Sequence, residues 1–157
     1  MSVRVDQIAS IAIVTRSIMA DLGHWEGLLT EETLPYGFVY RITNLINNRK
    51  YIGKKQCLTL KKRPPLKGKK NRRISEVETD WKSYTSSSKE LNEDISKLGK
   101  KSFKFEILFW CESKSELAYL ETLLQFKEEV LLRDDYYNGI INIRLGKVKL
   151  SQPIPNL

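Results

Sequence analysis

Between Thr33 and Ser75 the chain has no Asp or Glu, yet this stretch holds thirteen Lys and Arg. Unpaired charge on that scale cannot be buried, so much of the segment must lie on the surface of whatever the chain folds into. The whole chain has a formal charge of +8, so the remainder is net −5. One segment therefore carries the basicity. Localised positive charge creates a field that draws in phosphates, which makes a polyanion, most naturally nucleic acid, the expected partner. A solvated lysine-rich loop is the plainer alternative.

At 157 residues and 41% hydrophobic, the chain has the size and balance of one ordinary globular domain. Apolar runs such as Ile11 to Val14 fall far short of the roughly 20 residues that span a bilayer. Asp6 and Arg16 bracket a mixed N-terminal segment that does not have the form of a secretory signal. A cytoplasmic protein with no membrane partner is expected, and nothing calls for a protein partner. Cys57 and Cys111 lie far apart and show no CxxC spacing, so neither zinc nor a disulfide framework is indicated. His24 is the single histidine and lies before the stretch expected to form the domain, which excludes a Ser/His/Asp or Cys/His triad, and no GxxxxGK loop is present for nucleotide hydrolysis.

Ile8, Ile11, Ala12, Ile18, Met19 and Leu22 recur at helical spacing over residues 7–22, with Gly23 to end the helix. His24 to Pro35 has the composition of a linker, with His24 on the surface. Residues 1–33 are thus expected to be a helical extension and linker, 34–145 the domain, and 146–157 a tail. The β-rich run Phe38 to Thr43, the turn residues Asn47 and Asn48, and the run from Lys50 to Gly53 predict a β-hairpin. Pro64, Pro65 and Gly68 interrupt the cations up to Arg73, which predicts an exposed loop. Ser87 and Glu90 have capping-box spacing before a helix of about Ser88 to Leu98. Phe103, Phe105, Ile107 and Phe109 alternate as a third strand, and Ser113 and Glu116 cap a second helix from about Lys114 to Val130. The fold class is α/β (α+β), a small three-stranded, mainly antiparallel sheet flanked by helices.

The hairpin reads Gly37-Phe38-Val39-Tyr40, then ten residues, then Tyr51-Ile52-Gly53. With the order of basic loop, helix, strand, helix and Tyr137-Asn138 that follows, it resembles the GIY-YIG endonuclease family over about Tyr36 to Arg144. The similarity is greatest to short phage-encoded endonucleases, which would place the protein in the cytoplasm of a bacterial host. The resemblance implies a metal-dependent hydrolase of DNA phosphodiester bonds. Tyr40 would be the base or water-orienting group, Tyr51 its hydrogen-bonding neighbour, and Asn138 a supporting residue.

A phenol has a pKa near 10 and is about a thousandfold under-ionised at pH 7, so a tyrosine base needs help. Lys54 and Lys55 would supply positive potential to lower that pKa. The family also implies a carboxylate holding one divalent cation, Mg²⁺ or Mn²⁺, and Glu121 is the match, with Glu128 the neighbouring alternative. At about 100° per residue, Glu121 lies about 40° from Leu117 and about 60° from Leu124, at the border of the apolar face. Mg²⁺ suits one protein carboxylate completed by phosphate oxygens and water. A lysine-paired acid is the competing reading. Gly53 would let a phosphate approach the backbone.

Two departures stand out. The first triplet has its glycine displaced to Gly37, and Lys61, Lys62 and Arg63 occupy the approximate place of the arginine that the family carries on a helix. Arg63 is the choice for stabilising charge on the phosphate, with Lys54 and Lys55 as competitors. Trp81 is expected in the core, and Tyr84 is open. Lys55, Lys61, Lys62, Lys67, Lys69, Lys70, Arg72 and Arg73 would contact DNA. The rival reading is a catalytically silent nucleic-acid-binding module on the same scaffold.

Overall fold

The structure, a computed structural model, describes residues 20–29 and 33–154. The amphipathic helix expected over residues 7–22 lies outside them except for Ala20, Asp21 and Leu22, which are not helical. A three-stranded antiparallel sheet has the order β2-β1-β5, with β1 at Gly37–Asn44, β2 at Lys50–Gln56 and β5 at Phe103–Cys111. Two further strands, β3 (Leu58–Arg63) and β4 (Arg73–Glu78), pair as a separate ribbon. Helix α1 is Lys89–Leu98 and helix α2 is Lys114–Lys127. None of the described helices is long and apolar enough to cross a membrane.

β1 is covered on both sides, so every residue of it except Arg41 is buried. Phe38, Tyr40 and Ile42 face one core with Trp81, Leu91 and Ile95 of the α1 side. Val39 faces the other, with Leu117, Leu120 and Leu124 of α2. A register shift between Val39 and Tyr40 leaves Leu108 of β5 without a partner, because Val39 pairs with Phe109 and Tyr40 with Ile107. Since side chains alternate between faces, this extra residue reverses the pattern. Phe105 and Ile107 join the first core, whereas Phe109 joins the second. The even alternation expected through Phe109 therefore ends at the bulge.

The segment expected as a linker is packed. Trp25 is buried and donates its indole N–H to the Trp81 carbonyl at 2.7 Å. Glu26 bridges β5 in parallel, donating from its N–H to Phe105 O at 2.7 Å and accepting from Ile107 N at 2.8 Å. His24 is half-buried rather than on the surface, its ring centroid 4.2 Å from that of Phe105. Burial, and then the charge of Lys100, lower its pKa.

Both helix starts follow their caps. Ser113 Oγ accepts from Glu116 N, as the spacing predicts, but α1 is capped by Ser88, which accepts from Leu91 N. The cap falls one residue later than the Ser87–Glu90 spacing suggests, and Ser87 is left for another partner. α2 ends at Lys127, before Val130, and Glu129 follows in a left-handed conformation. The carboxylate of Glu116, itself buried, accepts from Glu112 N and from both Ser151 N and Oγ, which ties the chain's later part to α2. Cys57 and Cys111 are buried free thiols, each pushed up to about 12 by burial.

Candidate active site

The β1–β2 register places Tyr40 opposite Gly53 and Ile42 opposite Tyr51. Directly paired residues share a face, so Tyr40 and Tyr51 are diagonal neighbours on the side of the first core. Their ring centroids are 6.1 Å apart. Gly53 permits this: a Cβ there would lie 2.6 Å from Tyr40 Oη and 2.8 Å from Tyr51 Cε1. The space above Gly53 is thus filled by the two rings, which corrects the expectation that a phosphate approaches its backbone. Gly37, the displaced glycine of the first triplet, has a parallel role, since a Cβ on it would come within 2.5 Å of Lys55 O.

Tyr40 is 1% exposed, packed beside Trp25 and Tyr84. Burial, with the neighbouring Tyr51 and Tyr84 phenols and then Glu121, raises its pKa well above the ordinary phenol value. Tyr51 is half-buried and is raised as well, chiefly by burial and against the hydrogen bond from Ser87. The expected lowering by Lys54 and Lys55 is not found: burial raises both phenols, and the two lysines are paired with Glu121 and Asp80. Tyr51, not Tyr40, lines an open cleft of about 330 Å³. Its hydroxyl lies 3.1 Å from Ser87 Oγ, the side chain that the cap leaves over.

The cleft straddles the outer edge of β2. Tyr51 and Ser87 form one wall, Lys54 and Glu121 the other, and the segment from Tyr137 to Asn142 closes the end. Glu121 sits where the wheel placed it, at the border of α2's apolar face, with its side chain 14% exposed. Lys54 Nζ donates to its carboxylate. Burial raises the Glu121 pKa and the Lys54 pairing opposes that shift. Glu128 is not on the cleft wall; it accepts from Tyr136 Oη at 3.1 Å and pairs with Arg133.

Asn138 is 8% exposed and spends its amide on the backbone. Its Oδ1 accepts from Ile52 N at 3.0 Å and its Nδ2 donates to Ile52 O at 2.8 Å. It holds β2 in place as a further strand would. The backbone just before it continues the same pairing, with Lys50 N donating to Asp135 O and Tyr137 N donating to Lys50 O.

Arg63 is not part of this cluster. The chain after β2 continues as β3 instead of a helix, and Arg63 lies exposed at its end, donating from Nε to Ser75 Oγ at 3.0 Å. The cation that lines the cleft is Lys54, with Lys55 next to it in the strand. Paired with Val39 and Phe38, they point to opposite faces of the sheet. Lys55 donates to Asp80 at 2.6 Å and lies 4.0 Å from the centre of the Tyr84 ring. Trp81 is in the core as expected. Lys61, Lys62 and Arg73 are on the ribbon strands, and Lys67, Lys69, Lys70 and Arg72 are exposed on the loop that joins them.

The donor chemistry suits a single hard cation held by one carboxylate. Among the described residues no group of three or more His, Cys, Asp or Glu converges, so an all-protein cage is not offered. Glu121 does provide a poorly solvated carboxylate facing space, and Mg²⁺ bound through one carboxylate is completed by substrate phosphate and water.

The chain belongs to the GIY-YIG endonuclease family: residues 28–141 match the family model described as "Putative endonuclease segE, GIY-YIG domain". The "Putative endonuclease segD" of Enterobacteria phage T4 is 33% identical over 106 residues, which is 68% of this chain and 38% of that protein. The chain thus spans well under half the length of this relative. No solved structure matches.

Proposed function

We propose that the protein is an endonuclease hydrolysing phosphodiester bonds in DNA, with one divalent cation, Mg²⁺ or Mn²⁺, held by Glu121. The observation that carries this reading is the desolvated Glu121 carboxylate across an open cleft from the Tyr51 phenol. A carboxylate in such surroundings is costly to the fold unless it coordinates or pairs. When bound, the cation would neutralise charge on the phosphate and its leaving oxygen. Tyr51, fixed by Ser87, orients the attacking water by hydrogen bonding, and Tyr40 supports its ring from the core side. Lys54, released from Glu121, and Lys55 provide fixed positive charge where the phosphate becomes more negative. The exposed cations of the β3–β4 ribbon hold DNA through its phosphates.

The Lys54–Glu121 pair also suits the second reading, a binding module without chemistry, because it leaves both groups satisfied. Supercoiled plasmid incubated with and without Mg²⁺ separates the two. Cleavage that requires the cation is expected. Salt-sensitive binding with no cleavage in either Mg²⁺ or Mn²⁺ would establish the silent module.

Tyr51→Phe should lower turnover about a hundredfold, the usual cost of removing one hydrogen-bonding group at a reacting centre. Tyr40→Phe should lower it less, since that hydroxyl does not line the cleft. DNA affinity should be little changed in either. A Tyr51→Phe protein with full turnover and a Tyr40→Phe protein without it would restore Tyr40 as the reacting phenol.

A further inference from the structure

A second groove, of about 540 Å³, adjoins the cleft and shares Lys54 and Asn142 with it. It follows the outer edge of β2 toward the start of β3. Lys54 and Lys55 reach it from the sheet, Lys114 from the first turn of α2, and Arg144 from the segment after the cleft. Asp80 is the carboxylate in its lining, and Lys55 neutralises it. Lys114 and Arg144 are both exposed and have no carboxylate partner among the described residues. Two unpaired cations converging from separate elements repel one another. A concave site that tolerates this suits an anionic ligand.

The groove also has a direction. Thr59 is part of its lining, and on the ribbon Thr59 shares a face with Lys61, Arg63 and Arg73, as the register and the Arg63–Ser75 hydrogen bond require. The opposite face of the ribbon carries the exposed Leu60 and Ile74, and its one cation, Lys62, is outnumbered there by Glu76 and Glu78. Positive charge therefore follows one face of the ribbon, enters the groove, and ends at the cleft between Tyr51 and Glu121.

We infer that this groove binds the phosphodiester backbone of the cut strand beside the scissile phosphate, with Lys114 and Arg144 as its anchors. The inference rests on the nuclease reading only for the word "cut"; the groove as a DNA-backbone site does not depend on cleavage. Neither anchor belongs to the acid-free segment. They extend the DNA-binding surface to parts of the chain that net charge did not single out.

The test is a salt series of duplex DNA binding in EDTA. Lys114→Gln/Arg144→Gln should reduce the log–log salt slope by roughly 1.8, about 0.9 for each lost phosphate contact. The conservative pair Lys114→Arg/Arg144→Lys should keep the parent slope. Lys100→Gln/Lys101→Gln, which removes the same charge from an exposed turn outside the groove, should keep it too. Ethylation of phosphates next to the cleavage position should interfere with binding by the parent and not by the Gln pair. A Gln pair with the parent slope overturns the inference, as does an equal loss in the Lys100/Lys101 control, which would reduce the effect to net charge. If the parent binds DNA but never cleaves it, the nuclease reading fails while the slope result still decides the groove.

Discussion

Glu121→Gln should abolish cation-dependent cleavage and, at neutral pH, make the fold more stable. A bound cation supplies several kcal/mol of charge stabilisation at the reacting phosphate, so its loss should lower turnover by roughly a hundredfold to a thousandfold or more. Binding of DNA in EDTA should persist, because the ribbon and groove cations are untouched. Burial raises the Glu121 pKa in the folded protein above its ordinary value. The folded chain then keeps that proton to higher pH than the unfolded chain, so stability is lost as pH rises from the ordinary carboxylate range through the raised value. Glutamine has no such dependence. Thermal melts in EDTA should show the variant and parent converging at about pH 3 and the variant melting higher by pH 7 to 8. Lys54, 39% exposed, can be solvated once its partner is neutral. A variant less stable at every pH, with binding lost in parallel, would make Glu121 a structural partner of Lys54.

Gly53→Ala should damage the site through the rings above it. The new Cβ would lie 2.7 Å from Tyr40 Cζ as well as against the hydroxyl, and Tyr40 is 1% exposed with the Trp25 ring centroid 4.9 Å from its own. The ring has no free space to retreat into, so strand or core must shift, at a cost of about 1–3 kcal/mol. Displacement of Tyr51 by as little as about 1 Å can cost on the order of a hundredfold in rate. Urea unfolding and single-turnover cleavage should therefore both change, while the salt slope of binding stays as it was. Parental turnover in the alanine variant would mean that the packing of the two tyrosines over Gly53 is immaterial to the chemistry.

The eleven-residue step from Tyr40 to Tyr51 was legible because an antiparallel hairpin converts sequence spacing directly into register. The border position of Glu121 followed from helical geometry in the same way, and the cap at Ser113 from local hydrogen bonding. Other features depended on long-range pairing. The loop at Pro64, Pro65 and Gly68 is present, but β3 and β4 on either side of it form a ribbon with little buried surface, and no apolar alternation marks them. No local pattern marks the Leu108 bulge, which exists only relative to β1. Trp25 looked like part of a linker because its partners, the carbonyl of Trp81 and the ring of Phe38, are distant in sequence. Ser87 has capping-box spacing to Glu90, and it is the cap at Ser88 that leaves its hydroxyl to meet Tyr51. Lys114 and Arg144 had no sequence signal at all, since each is a single cation far from the basic segment.

The paired bonds between Asn138 and Ile52 have a consequence for the order in which the protein becomes competent during synthesis. The strand bearing Tyr51 and Lys54 is made early, yet its outer edge is not closed until Asp135 to Asn138 has left the ribosome and docked. Before that moment the edge is an open template for other strands, and the cleft has no end wall. The proposed hydrolytic ability should thus arrive late, after almost the whole family domain has been translated. A chain stopped short of Asn138 would be an aggregation hazard rather than a stray nuclease.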